Sequence, residues 1–311
     1  MTNQHSKIRI ELAPMDGITD LPFRSVCKRY GATHLTTELI PAIPFFFNLP
    51  QSKLNKFWLK AEFSLQQRPL TIQLFGSDPK HLSKAVNLFS RMNPDAFELN
   101  AGCPSKKVTK SNSGSSLLKN LPNLKNCLKS IMENTILPVS VKIRLGWEKD
   151  ISEEIVTALQ DLPLPCIKVH GRLVRQKFKG QADWSSIANL VRISKIPIIG
   201  NGDIDSRKTA KTRIYETSVA GVQIGRAARG NPWVFCDRNV SIEEKQDVIL
   251  DHTGLMQDFY GQTQGIILMR KHLLWYLRNF PGARLLRGKA ARVENYADVK
   301  LIVISIKRIN H

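Results

Sequence analysis

A cysteine near the middle of the chain stands where a predicted strand ends, and its thiol is the first candidate for chemistry. Residues 96–100 alternate apolar and polar side chains, as a strand does, and Gly102 and Pro104 then end the alternation on either side of Cys103. This placement exposes the thiol to a ligand at the mouth of the strand. A free cysteine taken alone is more often a small buried hydrophobe, so the surrounding residues must decide between the two interpretations.

Polar side chains recur at alternate positions of other strand-like segments, where a core would normally hold Val, Ile or Leu. In Val139–Leu145 the valines, isoleucine and leucine alternate with a serine and two basic residues. The same alternation predicts these inward-facing polar residues: Gln73, Glu98, Asn100, Ser140, Lys142, Arg144, Lys168 and His170. So many polar groups indicate a polar ligand, with an anionic part for Lys142. Alternatively, some are structural, with Glu98 paired internally to Lys142 or to Lys168.

The elements that must position these residues alternate between strand and helix. The sequence predicts eight strands before residue 230: Ile8–Ala13, Leu35–Leu39, Leu70–Phe75, Ala96–Asn100, Val139–Leu145, Cys166–His170, Ile196–Asn201 and Val222–Arg226. Helical segments fall between them, for example Asp20–Tyr30 and Leu121–Glu133. Eight such repeats predict an α/β fold, a (β/α)8 TIM barrel. Because barrel active sites form at the C-terminal ends of the strands, Gln73, Asn100, Lys142 and His170 are expected to converge there, below Cys103.

The last two predicted strands end in glycine-rich turns. Gly200-Asn201-Gly202-Asp203 follows the seventh strand, and Gly225-Arg226 begins the turn after the eighth. Many barrels bind phosphate in these two loops, and glycines let backbone N–H groups approach the anion. Each motif alone is weak, but their joint position predicts a phosphate site. No Gly-x-Gly-x-x-Gly motif follows a strand, so a Rossmann nucleotide site is not indicated.

A helical region follows the barrel. We predict a catalytic barrel over residues 1–238 and an all-helical C-terminal domain over residues 239–311. From Gly265 onward the chain holds ten Lys or Arg residues and only two acidic residues. The loop Ser105–Ser116 is also basic, through Lys106, Lys107 and Lys110. It is either a solvated loop or a lid beside Cys103.

The charge of the chain points to a polyanionic partner. The 311 residues carry a formal net charge of +20, which favours nucleic acid, with an anionic membrane surface as the competing target. Five cysteines without a Cys-x-x-Cys pair argue against a disulfide framework and a structural zinc site. The N-terminus has no apolar signal core, and no apolar run is long enough to span a membrane. We therefore expect a cytoplasmic, monomeric protein with no metal.

In its ordered motifs the chain resembles the tRNA-dihydrouridine synthase family, from about residue 10 to residue 290. The barrel motifs that carry the resemblance are Leu12-Ala13-Pro14-Met15-Asp16-Gly17-Ile18-Thr19-Asp20, Gln73-Leu74-Phe75-Gly76, Asn100-Ala101-Gly102-Cys103-Pro104, Val141-Lys142-Ile143-Arg144-Leu145-Gly146, His170-Gly171-Arg172, Asn201-Gly202-Asp203-Ile204 and Gly225-Arg226-Ala227. Arg270-Lys271-His272 and Trp275-Tyr276 extend it into the tail. Asp16 departs from the family, which usually has a small residue there.

The resemblance implies an FMN-binding barrel and a helical tRNA-binding domain. The residues that it places at the cofactor are Pro14, Met15, Asp16, Gln73, Lys142, His170, Asn201, Gly202, Asp203, Gly225 and Arg226. It places Asn100 and Arg144 at the target uracil, while Lys106, Lys107, Arg284 and Arg287 are the basic residues expected to contact tRNA. The implied reaction is NADPH-dependent reduction of a tRNA uridine to 5,6-dihydrouridine. FMN delivers hydride to C6, and Cys103 delivers a proton to C5.

Two other functions are considered beside this one. A flavin barrel acting on a free pyrimidine, as dihydroorotate dehydrogenase does, explains the barrel and the cysteine but leaves the basic tail without a role. An RNA-binding protein without chemistry explains the charge, but it does not require Cys103, Lys142 and His170 together. The sequence favours the synthase.

Overall fold

Nine parallel strands form the centre of the molecule. The computed structural model describes residues 8–47, 49–279 and 284–309. The strands are β1 (Ile10–Leu12), β2 (Leu35–Thr36), β3 (Ile40–Pro41), β4 (Leu70–Phe75), β5 (Ala96–Ala101), β6 (Val139–Arg144), β7 (Ile167–His170), β8 (Ile198–Asn201) and β9 (Gly221–Ile224). The eight predicted strands are all present, and β3 is an additional short strand beside β4.

The strands follow one another around a nearly closed barrel. Their order is β1-β9-β8-β7-β6-β5-β4-β2, and every pairing is parallel. Between β1 and β2, the Leu12 amide donates to the His34 carbonyl at 3.1 Å, and the Thr33 amide donates to the Ile10 carbonyl at 2.8 Å. The predicted (β/α)8 barrel is confirmed.

Amphipathic helices surround the barrel, and local signals fix where they begin. Asp20 and Asp183 each accept a hydrogen bond from a backbone amide three residues later, as N-cap residues do. The helices are α1 (Leu21–Arg29), α2 (Ile43–Phe46), α3 (Gln51–Ala61), α4 (Pro79–Phe89), α5 (Lys106–Thr109), α6 (Leu121–Met132), α7 (Ser152–Leu159), α8 (Trp184–Ile193) and α9 (Arg207–Thr217). Their apolar faces cover the outward Val, Ile and Leu side chains of the strands.

The C-terminal region is helical, as predicted. It contains α10 (Ile242–Tyr260), α11 (Gln262–Tyr276), α12 (Arg284–Ala290) and α13 (Tyr296–Ile309), which share a second hydrophobic cluster. Val26 and Tyr30 of α1 belong to that cluster, and the Tyr30 hydroxyl donates to Glu244 at 2.7 Å. Helix α1 thus joins the barrel to the tail. Residue 238 lies just before α10, and a domain boundary there stays a prediction.

Among the described residues, no helix combines the length and the apolar character that crossing a membrane requires.

Candidate active site

A buried layer of charged and amide side chains fills the barrel interior. Lys168 donates to Glu98 at 2.9 Å and to Glu11 at 3.0 Å, and all three side chains are almost fully buried. Gln223 also donates to Glu11, and Arg9 pairs with the same carboxylate from the rim. Burial opposes ionisation of Glu11, but Lys168 and Arg9 outweigh it and hold its pKa at about 2. The sequence left Lys142 and Lys168 open as partners of Glu98, and the structure pairs it with Lys168.

Lys142 lies toward the C-terminal end of the barrel, and within the described part of the chain it forms no ion pair. It is partly exposed, and its ammonium donates to the Asn201 side-chain oxygen at 3.0 Å. Desolvation lowers the pKa of Lys142 to about 8, and the attraction of Glu98 offsets this only in part. The Asn201 amide is fixed in turn, because it donates to the Gln223 carbonyl at 2.9 Å. Lys142 is therefore a cation near the barrel end with unused capacity to attract an anion.

Asn100 connects the interior to the turn that carries Cys103. Its amide donates to the Gln73 side-chain oxygen at 2.8 Å, and Gln73 in turn donates to Glu98 at 2.6 Å. Its oxygen accepts from the Cys103 amide at 3.0 Å and from the Gly102 amide at 3.3 Å. Gln73 is fully buried within this chain of hydrogen bonds. Asn100 thus braces the Cys103 turn from below.

Two more side chains hold the Cys103 turn from its flanks. Arg144 donates through Nε to the Gly102 carbonyl at 2.9 Å, and its Nη1 bonds the Leu173 and Lys177 carbonyls. Ser115 donates to the Cys103 carbonyl through its hydroxyl at 2.8 Å and through its backbone amide at 3.1 Å. The turn is therefore fixed on three sides, with the thiol partly exposed.

The surroundings of Cys103 keep its thiol protonated. Burial raises the pKa of Cys103, and the carboxylate of Asp16 adds to this, while the Ser105 backbone and Arg144 act in the opposite direction. Lys106 and Lys107 are exposed on α5 and are not among the groups that shift this pKa. A protonated thiol near neutral pH suits a proton donor rather than a nucleophile.

A cluster of positive groups lies at the ends of β7 and β8. Arg172 is buried and pairs with Asp203 at 2.6 Å, and its Nη1 lies 3.2 Å from His170 Nε2. Arg226 also reaches Asp203, at 3.2 Å. Burial, together with Arg144, Lys142, Arg172 and Arg226, holds the pKa of His170 well below its usual range, so the imidazole is neutral. Asp203 orients two arginines but neutralises only part of their charge.

The glycine predicted in the turn after β8 is required sterically. Gly202 has φ +129°, and a Cβ there would lie 2.6 Å from the Ala182 Cβ and 3.2 Å from the His170 ring. Gly225 lies beside Met15, whose sulfur would be 3.9 Å from an added Cβ. The structure therefore brings the predicted Asn201–Asp203 and Gly225–Arg226 turns together with the segment after β1, which contains Pro14.

Asp16, the position that departs from the resemblance, is exposed at the same end of the barrel. Its carboxylate forms an ion pair with Lys60 of α3, which also lies 3.3 Å from Glu38. Glu38 accepts a hydrogen bond from the Gly17 amide at 2.5 Å. Helix α3 thus supplies the counter-charge for the loop after β1. The predicted tRNA contacts Lys106, Lys107, Arg284 and Arg287 are exposed on α5 and α12, outside the Cys103 cluster.

Comparison with known proteins identifies the family to which this site belongs. The family described as Dihydrouridine synthase (Dus) matches residues 11–309 of this chain. The chain belongs to the dihydrouridine synthase family. Its barrel with a helical C-terminal region is therefore that of a dihydrouridine synthase family member.

Curated relatives share about a third of their residues with this dihydrouridine synthase family member over most of their length. The tRNA-dihydrouridine synthase B of Pseudomonas aeruginosa is 32% identical over 300 residues, which cover 92% of this chain and 89% of that protein. The probable tRNA-dihydrouridine synthase of Aquifex aeolicus is 33% identical over 303 residues, which cover 94% of each chain.

Solved structures share the fold alone. A 2-naphthoyl-CoA reductase complex has a TM-score of 0.55 at 12% identity, and the match covers 73% of this chain and 49% of that one. Histamine dehydrogenase from Rhizobium has a TM-score of 0.52 at 12% identity, over 85% of this chain and 48% of that one. The present chain spans about half the length of these proteins, and both matches support the barrel architecture.

Four residues that contact the predicted site residues or their buried partners were not among the site residues predicted from the sequence of this dihydrouridine synthase family member. Glu11 and Ser115 were not singled out, because each acts through a partner far away in sequence. Arg172 follows His170 by two residues, and this basic residue at a strand end was the available signal. Phe178 is 55% exposed, and its ring centroid lies 5.0 Å from the Arg226 guanidinium and 5.7 Å from that of Arg144.

Proposed function

We propose that this chain is a tRNA-dihydrouridine synthase, which reduces the 5,6-double bond of a uridine in tRNA with NADPH as reductant. Its membership of the family supports the reaction class. The single observation that carries the proposal is the Cys103 turn. Asn100, Arg144 and Ser115 hold it at the C-terminal end of β5, with a partly exposed and protonated thiol.

The charges at this end of the barrel fit an anionic flavin mononucleotide. Lys142, Arg172 and Arg226 stand there with Asp203 as their nearby carboxylate, and the turn at Gly202 offers backbone without a side chain. We propose Lys142 and His170 at the flavin ring and ribityl chain, and Gly202, Gly225 and Arg226 at the phosphate. Pro14, Met15 and Asp16 would line the same cofactor, with Asn201 and Asp203 orienting the basic residues and Gln73 supporting Asn100 from below.

FMN, when bound and reduced by NADPH, supplies hydride to C6 of the uracil. Cys103 supplies the other half of the addition, because its thiol holds a proton at neutral pH and can pass it to C5. Lys142 would stabilise negative charge that develops on the flavin ring or on the uracil carbonyl oxygen, which would lower the barrier. Asn100 and Arg144 keep the thiol in place and, in this proposal, border the uracil.

The substrate is proposed to be folded tRNA rather than a free pyrimidine. A uridine in tRNA must leave its stack to enter the barrel, which requires a protein surface that binds the flanking strand. Such binding is supported by the formal charge of +20 and by four exposed basic residues, Lys106, Lys107, Arg284 and Arg287. We place the enzyme in the cytoplasm, as a monomer.

The test is direct. Purified protein is incubated with NADPH and tRNA that lacks dihydrouridine, and the digested nucleosides are analysed for dihydrouridine. Parallel reactions contain free uridine or orotate in place of tRNA. The proposal is supported if dihydrouridine forms in tRNA and neither free uridine nor orotate is reduced. Reduction of the free pyrimidine alone, or a protein that carries no flavin and reduces nothing, contradicts it.

A further inference from the structure

A cavity of about 560 Å³ lies near the Cys103 turn, and the proposed reaction does not use it. Its wall comes from the loops after β4, β5 and β6, at the same end of the barrel as the candidate active site. Its volume is within the range of small-molecule sites. Polar and basic side chains form most of the lining: Lys110, Asn112, Lys119, Asn120, Asn123 and Trp147.

The lining of this cavity carries positive charge. None of the ten lining residues is acidic. The sequence from Leu99 to Met132 contains six lysines and no aspartate or glutamate. In the described parts of the chain, neither Lys110 nor Lys119 forms an ion pair. A cavity with this lining attracts an anion.

Lys119 is held in a defined place at the edge of this cavity. Its ammonium lies 3.6 Å from the centroid of the Trp147 ring, and Trp147 packs partly against the hydrophobic core of the barrel. A cation–π contact of this kind orients a lysine without neutralising its charge. Trp147 is therefore a positioning residue for Lys119.

The segment that forms the cavity wall is hydrogen-bonded to Cys103, the candidate proton donor. Residues 109–117 form much of its wall, and within that segment Ser115 donates to the Cys103 carbonyl at 2.8 Å. A Cβ added at Gly114 would lie 3.1 Å from that same carbonyl oxygen. The cavity wall and the Cys103 turn therefore belong to one hydrogen-bonded unit at this end of the barrel.

We infer that this cavity binds a phosphate of the RNA strand next to the target uridine, and this inference rests on the proposed function. Lys110 and Lys119 contact the phosphate, while the side-chain amides of Asn112 and Asn120 face its sugar or base. Lys106 and Lys107, exposed on the adjoining α5, continue the positive charge toward the Cys103 turn. Several lysines spread over adjoining elements suit a polymer of phosphates better than they suit a single dinucleotide such as NADPH.

The test compares two double variants of the flavin-containing protein that lose the same charge. Lys110→Ala with Lys119→Ala removes the cavity lysines. Lys129→Ala with Lys195→Ala removes two exposed lysines near the opposite ends of the strands. Binding of labelled tRNA lacking dihydrouridine is measured from 50 to 300 mM salt. We expect roughly tenfold weaker binding and a salt slope lower by about 1.5 for the cavity variant, because two phosphate contacts are lost. The control is expected to change binding less than about twofold.

A third variant tests the positioning role of Trp147. Trp147→Leu keeps apolar packing, and it is expected to weaken tRNA binding as Lys119→Ala does. Introduced into the Lys119→Ala protein, it is expected to have no further effect, since both changes remove the same ammonium from its place. Additive losses would mean that Trp147 affects tRNA binding independently of Lys119, and would overturn its assignment as a positioning residue.

The remaining outcomes separate this inference from the proposed function. Equal losses in the cavity and control variants overturn the cavity assignment, and so does a raised KM for NADPH with unchanged tRNA binding. If the unsubstituted protein forms dihydrouridine while the cavity variant binds tRNA normally, only the cavity inference fails. If the unsubstituted protein forms no dihydrouridine, the proposed function itself fails.

Discussion

The ammonium group of Lys168 lies 2.9 Å from a carboxylate oxygen of Glu98, and both side chains are buried inside the barrel. Glu11 completes this pair, whereas Lys142, opposite Lys168 in the strand register, forms no ion pair with any residue that the structure describes. The interior thus divides its two lysines between two tasks. Lys168 neutralises buried acids, and Lys142 remains available to a ligand.

Replacement of Lys168 by methionine is expected to lower the free energy of unfolding by about 3–5 kcal/mol, because it leaves the buried carboxylate of Glu98 without an ion pair and that of Glu11 with Arg9 alone. Denaturant unfolding of the flavin-free protein measures the change. The matched control is Lys211→Met, which breaks a surface pair with Asp237 and should cost at most about 1 kcal/mol. Equal effects of the two substitutions would contradict a structural role for the buried lysine.

Flavin affinity is expected to fall as the pH rises above about 8, because Lys142 has a pKa of about 8 and its charged form favours the anionic ligand. Above that pH, binding must take up a proton, so the dissociation constant rises by up to about tenfold per pH unit. Fluorescence titration with FMN from pH 7 to 9.5 measures it. In Lys142→Arg the side chain stays charged, and the curve should be flat over this range.

Cys103→Ala is expected to slow reduction of tRNA by roughly 10² to 10⁴-fold, since general acid catalysis supplies about that factor. Reduction of the flavin by NADPH needs no proton on carbon, so its rate should stay unchanged. Stopped-flow spectroscopy follows each half-reaction separately. Cys236→Ala, at another partly exposed cysteine, serves as the control. Normal tRNA reduction by the Cys103 variant would show that this thiol only packs.

Charge reversal of Arg284 and Arg287 on α12 should weaken tRNA binding and reduce its dependence on salt, because both side chains are exposed and basic. The flavin spectrum and the rate of flavin reduction by NADPH should be unchanged. Filter binding at several salt concentrations measures the effect, with Lys129→Glu and Lys195→Glu as the matched reversal. Unchanged binding would place the RNA path away from α12.

Acid is expected to destabilise the helical region through His272. This side chain is fully buried, and neither ring nitrogen has a hydrogen-bond partner among the described residues. Burial, with His252 nearby, holds the pKa of His272 well below its usual value, so below about pH 6.5 the unfolded chain takes up a proton that the folded chain does not. Stability therefore falls with decreasing pH.

His272→Phe should reduce the slope of the unfolding free energy against pH, between pH 5 and 6.5, by up to about 1.4 kcal/mol per pH unit. Urea unfolding at four pH values measures both proteins. The same slope before and after the substitution would mean that His272 is protonated in the folded state. Asp20 opposes this pH dependence of stability, because burial raises its pKa to about 6.

The sequence by itself determined the strands and which of their side chains face inward. Alternation is a local property, so Glu98, Asn100, Lys142, Lys168 and His170 could be assigned to the barrel interior from their positions alone. The family followed from the order of the motifs, and the strand ends placed Cys103 beside Asn100.

Only the tertiary structure decided which groups pair. Strand register sets Glu98 opposite Ser140 and Asn100 opposite Lys142, and barrel closure brings Glu11 from β1 to the side chain of Lys168. Both lysines were plausible partners of Glu98 in sequence, because alternation gives the face of a strand but not the depth of a side chain in the barrel. The same holds for Ser115, Lys60 and Asp203. Their partners are far away along the chain, and only packing brings them within hydrogen-bond distance.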